Sequence, residues 1–188
     1  MILSDRDIKK AILSKDIQID PFDEKYLQPA SVDLHLDSTF LVFDPQKNFV
    51  IDPKKQVDSM MKEITIKDDE PFVLHPGDFA LGLIFEKTGV SSKYVGRLEG
   101  KSSVGRLGLL IHVTAGFLDP GNDLKMTLEL HNTANLPILL YYKMPIAQMA
   151  FEELSSECEK PYSSKGLNSK YLGDMKPKAS QMWKNFTS

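Results

Sequence analysis

Hydrophobic and polar residues alternate along much of this chain with a period of two, the pattern of half-buried β-strands. Residues 31–43 show it clearly, because apolar and polar side chains alternate from Val32 to Asp37. The same reasoning predicts further strands at residues 79–86, 107–113, 126–131, 136–142 and 146–151. Turn residues separate these segments, as at Pro76-Gly77-Asp78. This arrangement is typical of an all-β barrel or sandwich rather than of alternating βαβ units.

The first residues follow a helical pattern instead. Residues 3–15 predict a short amphipathic helix, with Ser4 as its N-cap. Asp5 and Asp7 fall in the first turn, where carboxylates suit the helix dipole. We expect the buried face to consist of Leu3, Ile8, Ala11, Ile12 and Leu13.

Two stretches lack a regular pattern. Residues 44–70 are polar and contain prolines, so we expect loops there with one or two short strands. From about residue 156 to residue 188 the chain is rich in Ser, Lys, Gly and Asn, which is typical of a mobile tail. This tail nevertheless carries Trp183 and Phe186 near its end. Two interpretations are equally open: the tail docks on its own core, or it forms a lid over a ligand.

Composition narrows the class of protein. The chain has 188 residues, 41% of them apolar and 26% charged, which fits one domain spanning residues 1–188. A formal net charge of −3 gives no sign of a nucleic-acid partner. Cys158 is the single cysteine and cannot form an internal disulfide. With no pattern of a signal peptide or a membrane span, we expect a cytoplasmic protein without a membrane partner.

Residues 96–102, GRLEGKS, look like a phosphate-binding P-loop but do not match it. Three residues separate the first glycine from Gly-Lys-Ser, where the P-loop has four, and no βαβ unit is predicted around them. The segment still suits an anion, because Gly100 permits close backbone approach and the residues after it supply charges and hydroxyls. These residues are Lys101, Ser102, Ser103 and Arg106. The alternative is an ordinary turn with solvated basic side chains.

Glu129 lies on the polar side of a predicted strand. Thr127, Glu129 and His131 share one face, opposite the leucines at positions 128 and 130. If the leucine face packs into the core, Glu129 faces a cavity, a partner subunit or water. A partly desolvated glutamate could shuttle protons, whereas an exposed strand glutamate is common and has no such role. The residues alone leave both open.

Several ordered motifs together resemble the dCTP deaminase family. The central ones are GKSSVGRLGL (100–109), HVTAGFLDPG (112–121) and TLEL (127–130). The opening MILSD (1–5), QPASVDL (28–34), PY (161–162) and SKY (169–171) also look like that family. The resemblance extends over nearly the whole chain, and TAGF at 114–117 is similar to the bifunctional, dUMP-forming type.

The resemblance implies a distorted β-barrel of the dUTPase-like, β-clip kind, assembled as a homotrimer with active sites between subunits. It implies dCTP and dUTP as substrates and dTTP as a possible inhibitor. It also implies a nucleotide site made by Lys101, Ser102, Ser103, Val104, Gly105, Arg106, Asp119, Thr127, Leu128, Glu129, Gln148, Tyr162, Lys170 and Asp174.

The implied reaction is a deamination without zinc. One cysteine and no His-x-Glu sequence cannot build the site of the zinc deaminases. The family instead implies that Glu129 takes a proton from water and delivers it to the cytosine ring. Ser102 and backbone carbonyls around Ala115 would position that water. Arg106 would either bind phosphate or orient Glu129.

Gly116 and Phe117 mark a second activity in this resemblance. Family members of this type also release diphosphate and so form dUMP for thymidylate synthesis. That step would need Mg²⁺ held by the phosphates rather than by protein side chains, with Asp119 as a candidate base. The alternatives are a monofunctional deaminase that gives dUTP, a plain dUTPase, and a catalytically silent nucleotide-binding regulator.

Three positions depart from the family pattern. Lys101 stands where many relatives have Arg, which keeps the charge but loses the bidentate geometry. Asn122 stands where an aromatic residue is common. Asp174 stands where relatives have Gln, and a carboxylate near a triphosphate would be repelled unless it meets a cation or turns away.

Overall fold

The structure, a computed structural model, describes residues 1–46 and 50–187. Residues 47–49 of the predicted polar stretch and residue 188 of the predicted tail lie outside the described residues. The helices of the described ranges are α1 (Asp5–Leu13) and α2 (Ser102–Gly105). The strands are, in chain order, β1 (Ile17–Asp20), β2 (Leu27–Gln28), β3 (Ser31–His35), β4 (Thr39–Phe43), β5 (Met61–Thr65), β6 (Phe72–Leu74), β7 (Phe79–Leu83), β8 (Lys87–Val90), β9 (Tyr94–Gly100), β10 (Leu109–Leu110), β11 (Phe117–Leu118), β12 (Asp123–Leu124), β13 (Thr127–Asn132), β14 (Ile138–Leu140) and β15 (Pro145–Glu153).

Two five-stranded sheets form the body of the molecule, in the orders β10-β13-β7-β4-β5 and β11-β9-β15-β3-β2. Two smaller sheets, β1-β8-β12 and β14-β6, complete it, and their strand pairs are antiparallel. The prediction of a mainly β fold is therefore confirmed. The assembly of three copies stays a prediction.

One hydrophobic cluster lies beneath both large sheets. Leu34, Leu98 and Met149 enter it from the sheet that contains β15, and Phe40 and Leu128 enter it from the other. These side chains are essentially inaccessible to water. A fully buried side chain of this size contributes about 1.5–3 kcal/mol, so this cluster provides the main stabilisation of the fold.

The predicted strand at 31–43 is wrong as a single element, because the chain changes sheets within it. β3 pairs with β15, whereas β4 pairs with β5 and β7. Between them, the Leu36 amide donates to the Met144 carbonyl and the Asp37 amide donates to the Leu83 carbonyl. The alternation of side chains continues through the crossing, and so the sequence pattern does not reveal it.

The predicted strand at 107–113 is also too long. Only Leu109–Leu110 pairs, opposite His131 and Asn132 of β13. Gly108 has a φ of +85°, a backbone conformation suited to glycine, and it ends the turn that follows α2. Apolar residues beyond Leu110 therefore lie in a loop rather than in a sheet.

Helix α1 is confirmed within two residues at each end, with one correction. Leu3, Ile8 and Ala11 are buried, but Leu13 is 83% exposed because it lies on the far side of the last turn from Ile8. Ser4 takes the N-cap position, yet its hydroxyl donates to the Asp7 carboxylate rather than capping a backbone amide.

The tail folds back onto its own chain. Past β15, the described residues form only one short 3₁₀ segment, Met182–Phe186. Backbone amides of Cys158 and Tyr162 donate to the carbonyls of Ser92 and Pro120. Farther along, Pro177, Ala179 and Gln181 are buried. These contacts agree with the docking interpretation, and closure over a ligand stays a prediction. Among the described residues, no helix is both long and apolar enough to cross a membrane.

Candidate active site

The carboxylate of Glu129 is held on one side only. Its Oε2 accepts hydrogen bonds from the backbone amides of Val113, at 2.7 Å, and Thr114, at 3.1 Å. Its Oε1 has no protein partner among the described residues. The Glu129 amide donates to the carbonyl of Ile111, so the loop before Ala115 wraps around the end of this side chain. The carboxylate is thus fixed in position while one oxygen remains available to a substrate or water.

Strand β13 explains how Glu129 reaches this position. Leu128 and Leu130 are fully buried, whereas Thr127, Glu129 and His131 are half-buried on the opposite face. Pairing of Glu129 with Leu81 of β7 fixes the register. The predicted division of the two faces is confirmed.

The segment that was predicted to bind an anion forms α2 and the turn after it. Lys101 occupies the N-cap position, and Val104 is buried beneath the helix and anchors it. Ser102, Ser103 and Arg106 are exposed. The predicted binding groups therefore lie on a rigid, outward-facing turn, which suits the capture of an anionic ligand from solution.

Lys101 has a partner that the sequence reasoning did not identify as part of the site. Its Nζ lies 2.6 Å from Oδ2 of Asp33, and the Gln28 amide donates to the same oxygen at 3.4 Å. Gln148 of β15 stands opposite Asp33 in the sheet and accepts a hydrogen bond from Ser31. Strand β3 thus brings Lys101 and Gln148 together. Asp33 and Gln28 belong to the QPASVDL motif, which was the available signal.

Gly116 lies against strand β9. Its carbonyl accepts a hydrogen bond of 2.7 Å from the Leu98 amide, and an added Cβ would come within 2.7 Å of the Leu98 carbonyl oxygen. The same Cβ would also come within 3.4 Å of Nε2 of His112. Phe117, which pairs with Arg97, is 58% exposed. A larger residue at position 116 would displace the backbone between β11 and the loop whose amides bind the Glu129 carboxylate.

Asp119 is half-buried and, within the described residues, its side chain has no hydrogen bond or ion pair. Burial raises the pKa of this carboxyl above its ordinary value. The turn after Asp119 contacts the start of the tail, where the Tyr162 amide donates to the Pro120 carbonyl at 2.7 Å. Gly121, with a φ of +77°, allows this contact, because a Cβ there would overlap Pro161. The start of the tail is thereby held against the turn that follows Asp119.

The predicted tail residues occupy ordered positions. Asp174 meets a cation, as Lys178 lies 2.9 Å from its Oδ1, and its carbonyl accepts a hydrogen bond from the Lys125 amide. Lys170 is half-buried and next to Tyr171, whose hydroxyl accepts from the Gln181 amide at 3.0 Å. Asn122, which replaces an expected aromatic residue, is buried, and its Oδ1 lacks a partner among the described residues.

In the single chain, the predicted site residues fall into three separate groups. Glu129 is joined to the loop before Ala115, Lys101 is joined to β3 beside Gln148, and Pro120, the residue after Asp119, is joined to Tyr162. No hydrogen bond or ion pair in the described ranges connects Ser102 or Arg106 to Glu129. A cavity of about 340 Å³ lies elsewhere, with walls made by other residues. Within residues 1–46 and 50–187, no three His, Cys, Asp or Glu side chains are arranged to hold a metal ion.

Comparisons with known proteins agree on one family. A family model described as dCTP deaminase-like matches residues 2–154. A Corynebacterium jeikeium protein named "dCTP deaminase, dUMP-forming" is 50% identical over 186 residues, which cover 99% of each chain. A Rhodococcus opacus protein of the same name is 48% identical over 99% of this chain and 98% of its own.

A solved structure shares the fold. The 2'-deoxycytidine 5'-triphosphate deaminase from Agrobacterium tumefaciens superposes with a TM-score of 0.61 and 22% sequence identity. The match covers 80% of this chain and 47% of that one, so this chain spans about half the length of that protein. At this level of identity the likeness concerns the fold alone.

Proposed function

This chain belongs to the dCTP deaminase-like family, and on that premise we propose that it converts dCTP to dUMP, releasing ammonia and diphosphate. The observation that best supports this is the half-free carboxylate of Glu129, fixed through Oε2 and open through Oε1. The relatives that share about half of its residues carry the name of that reaction. We expect the reaction to take place in the cytoplasm and to supply thymidylate synthesis.

Glu129 acts first as a base and then as an acid. It takes a proton from water as the water oxygen bonds to C4 of cytosine, and it passes that proton to the ring nitrogen. The proton of the new C4 hydroxyl then passes through Glu129 to the exocyclic amine, the C4–N bond breaks, and ammonia leaves as C4 becomes a carbonyl. A carboxylate in this role contributes about 10²–10⁴-fold. Positioning of the water by Ser102 and the Ala115 carbonyl supplies part of the remainder.

In this proposal, three groups of residues hold the nucleotide. Ser102, Ser103 and Arg106 bind phosphate oxygens together with Lys101, and Thr127 and Leu128 of β13 contact the pyrimidine edge. Gln148, Tyr162, Lys170 and Asp174 complete the site. Among the described residues, no hydrogen bond or ion pair joins α2 to Glu129, and our proposal is that subunits of a homotrimer complete the site together. dTTP, which shares the triphosphate and a pyrimidine ring, is a candidate inhibitor.

The second step cleaves the bond between the α and β phosphates. Mg²⁺ bound to the phosphates of the substrate, rather than to protein side chains, would supply the positive charge that offsets the departing diphosphate. Asp119, unpaired and half-buried, is the candidate base for the attacking water. Gly116, where an added Cβ would meet the Leu98 carbonyl, lets the backbone before Phe117 pass close to β9.

Deamination proceeds without zinc in this proposal. Metal analysis of the purified protein tests it: we expect far less than one zinc per chain, and activity that survives zinc chelation when Mg²⁺ is supplied. One zinc bound per chain would contradict it.

A product assay tests the proposed function most directly. Purified protein is incubated with dCTP and Mg²⁺, and ammonia, diphosphate, dUTP and dUMP are measured over time. Equal amounts of ammonia and dUMP are expected. Accumulation of dUTP without dUMP would indicate the monofunctional alternative. Hydrolysis of dUTP with dCTP left intact would indicate a dUTPase, and binding without turnover a silent regulator.

A further inference from the structure

Asp33 holds the lysine at the start of the turn that carries the proposed phosphate-binding residues. Its Oδ2 lies 2.6 Å from Nζ of Lys101, and the Asp33 side chain is 12% exposed, against 25% for Lys101. Lys101 directly follows β9, and β15 separates β9 from β3 in the sheet, so the lysine side chain reaches across β15 to its partner. Asp33 takes part in no step of the proposed reaction.

The backbone of Lys101 is fixed from two sides. Its amide donates to the Ile146 carbonyl of β15 at 3.3 Å, and its carbonyl accepts from the amides of Val104 and Gly105 in α2. The side chain has a long flexible stem, and lysine is among the residues that lose most rotamer entropy when they are ordered. Within the described residues, Asp33 is the only hydrogen-bond or ion-pair partner of the ammonium. The ion pair therefore fixes what the backbone leaves free.

Stability does not explain this arrangement. Lys101 and Gln28 both meet Oδ2 of Asp33, while Oδ1 is enclosed and has no hydrogen-bond partner within residues 1–46 and 50–187. An enclosed acceptor without a donor costs free energy. A largely buried ion pair often returns no more than its desolvation cost, and its replacement by apolar residues is often neutral or stabilising. The charge at position 33 is better explained by its effect on Lys101.

Lys101 can contact Asp33 and a phosphate at the same time. An ammonium carries three N–H donors, and the contact with Asp33 occupies one of them. A quarter of the lysine side chain is exposed, and the residues that follow it, Ser102 and Ser103, are exposed at the start of α2. The donors that Asp33 does not use therefore remain available to an anion that binds this turn.

The depths of the two side chains decide between attraction and repulsion. The Asp33 carboxylate repels phosphate, but it is buried more deeply than the Lys101 ammonium, so an anion from solution meets the ammonium first. Water and salt screen the repulsion beyond it. Without the carboxylate, the lysine must be ordered when the anion binds, and this ordering lowers the affinity. Loss of the carboxylate should therefore weaken binding.

We propose that Asp33 is a positioning residue that holds the ammonium of Lys101 in place before the nucleotide arrives. A triphosphate then binds the turn formed by α2 without having to order this lysine. The inference rests on the proposed function, since it takes the anion at this turn to be the triphosphate of the substrate. Asp33 itself contacts neither the nucleotide nor the reacting atoms.

Inorganic tripolyphosphate is the probe that isolates this contact, because it has neither sugar nor base. It is titrated by isothermal calorimetry into the full-length protein in the absence of Mg²⁺. Asp33→Asn keeps the shape of the side chain and removes its charge, so it should bind tripolyphosphate about fivefold more weakly. Unchanged or tighter binding by Asp33→Asn would overturn the proposal, as would no binding by the unchanged protein at millimolar concentration.

Asp37→Asn is the matched control. Asp37 forms a similar ion pair with Lys125, at 2.7 Å and with side chains that are 16% and 20% exposed, and neither residue is assigned to the nucleotide site. This variant should lose thermal stability to a similar extent and keep its affinity for tripolyphosphate. An equal loss of affinity in both variants would mean that the effect of Asp33 is a general one on the fold.

A double-mutant cycle shows whether Asp33 acts through Lys101. Lys101→Met should weaken tripolyphosphate at least as much as Asp33→Asn does. In the protein that carries both changes, the affinity should stay within about twofold of Lys101→Met alone, because Asp33 then has no ammonium to hold. A further loss of about fivefold in the double variant would refute the positioning role.

Turnover distinguishes positioning from chemistry. With dCTP, Asp33→Asn should raise KM about fivefold and leave kcat within about twofold, because the lost contact is equal in the ground state and the transition state. A fall in kcat with an unchanged KM would contradict the proposal. If the unchanged protein did not deaminate dCTP, the proposed function would fail, while the titrations with tripolyphosphate would still decide the role of Asp33.

Circular dichroism and Tm are compared first, because Asp33 is largely buried. If Asp33→Asn fails to fold, Asp33→Glu takes its place in the titration. That variant keeps the charge and moves it by one methylene group, so a positioning role predicts about a threefold loss of affinity for tripolyphosphate. Unchanged affinity in Asp33→Glu would then overturn the proposal.

Discussion

Two backbone amides hold the carboxylate of Glu129 in position, and both donate to Oε2. In Glu129→Gln, one amide position still offers an oxygen to these donors, but no group can take up or return a proton. Ammonia release should fall by at least about 10²-fold, while dCTP binding measured by calorimetry remains within a few-fold of the original.

His131→Gln is the matched control, because His131 lies two residues farther along the same face of β13 and its ring is hydrogen-bonded to the Asp78 carbonyl rather than to the loop that holds Glu129. It should deaminate normally. Substantial ammonia release by Glu129→Gln would remove the residue from the proposed mechanism.

Gly116 offers a prediction about packing. In Gly116→Ala, the new Cβ would approach the Leu98 carbonyl to 2.7 Å, so the backbone must shift. Overpacking of this kind costs about 1–3 kcal/mol, and thermal unfolding should show a lower Tm. Formation of dUMP should decrease more than ammonia release.

Gly105→Ala is the control for stability, since nothing lies within 4 Å of the added Cβ and the residue is in a helix. It should unfold at an unchanged or slightly higher temperature. An equal loss of Tm in both variants would mean that the contact with Leu98 is unimportant.

Asp119 predicts a dependence of stability on pH. Burial raises its pKa in the folded chain, so the folded state holds this proton to higher pH than the unfolded state does. The associated stability is complete below the ordinary aspartate pKa and is lost as the pH rises through the folded value. Asp119→Asn should therefore raise Tm more at pH 7 than at pH 3.5, modestly because the side chain is partly exposed. The same change at both values would contradict this.

At the scale of single residues, the sequence identified candidate site residues better than it identified the side chains that pair with them. Glu129 and Lys101 stand out through their motifs, but the pairing of Lys101 with Asp33 requires β9 and β3 to lie on either side of β15. The pair of His35 and Glu86 spans 51 residues, and no local pattern connects them. Contacts between distant strands depend on register, which one sequence does not supply.

Among the elements, strands with a regular apolar pattern were predicted well, and strands whose pattern is interrupted were not. β13 and β15 are within two residues of their predicted bounds at each end. β8 and β9 were not predicted, because glycines and charged residues interrupt their apolar positions. The 31–43 segment shows the opposite error, since its alternation runs on through a change of sheet.

The tail yields a prediction at the scale of an element. The hydroxyl of Tyr171 accepts from the Gln181 amide, and this bond closes the last ordered segment. Tyr171→Phe should release it at a cost of about 0.5–1.5 kcal/mol, so trypsin should cut after Lys184 about two- to tenfold faster. Tyr141→Phe, at an exposed tyrosine, should be cut at the original rate. Unchanged cleavage in Tyr171→Phe would show that other contacts hold the tail.

For the whole molecule, exposed apolar residues surround the loop that holds Glu129. Leu107, Leu110, Val113 and Phe117 are each at least 45% exposed. Patches of this kind mark interaction surfaces, and we expect light scattering to give a mass of three times 21.2 kDa.

Leu110→Asp should lower that mass and reduce deamination together. Leu136→Asp, at a residue that is 69% exposed but distant along the chain, should do neither. A fully active single chain would contradict the placement of the site between subunits.

The class of fold was predictable because period-two alternation and frequent turns leave few other arrangements. The division of the predicted site into separate groups was not predictable, since it arises from how β13, β3 and the tail are placed in three dimensions. A family resemblance predicts which residues belong to a site, but it does not predict which of them lie together within one chain.

β15 lies between β9 and β3 in the centre of its sheet, although its residues follow β3 by more than a hundred positions. The Leu3 amide also donates to the Phe151 carbonyl, so the residues before α1 are hydrogen-bonded to β15 as well. During synthesis on the ribosome, the edges of β3 and β9 that pair with β15 must therefore stay unpaired until residues 145–153 have emerged from the exit tunnel. Exposed edges of this kind invite wrong pairing. Slowing elongation before residue 145 should prolong this vulnerable stage and increase the need for chaperones.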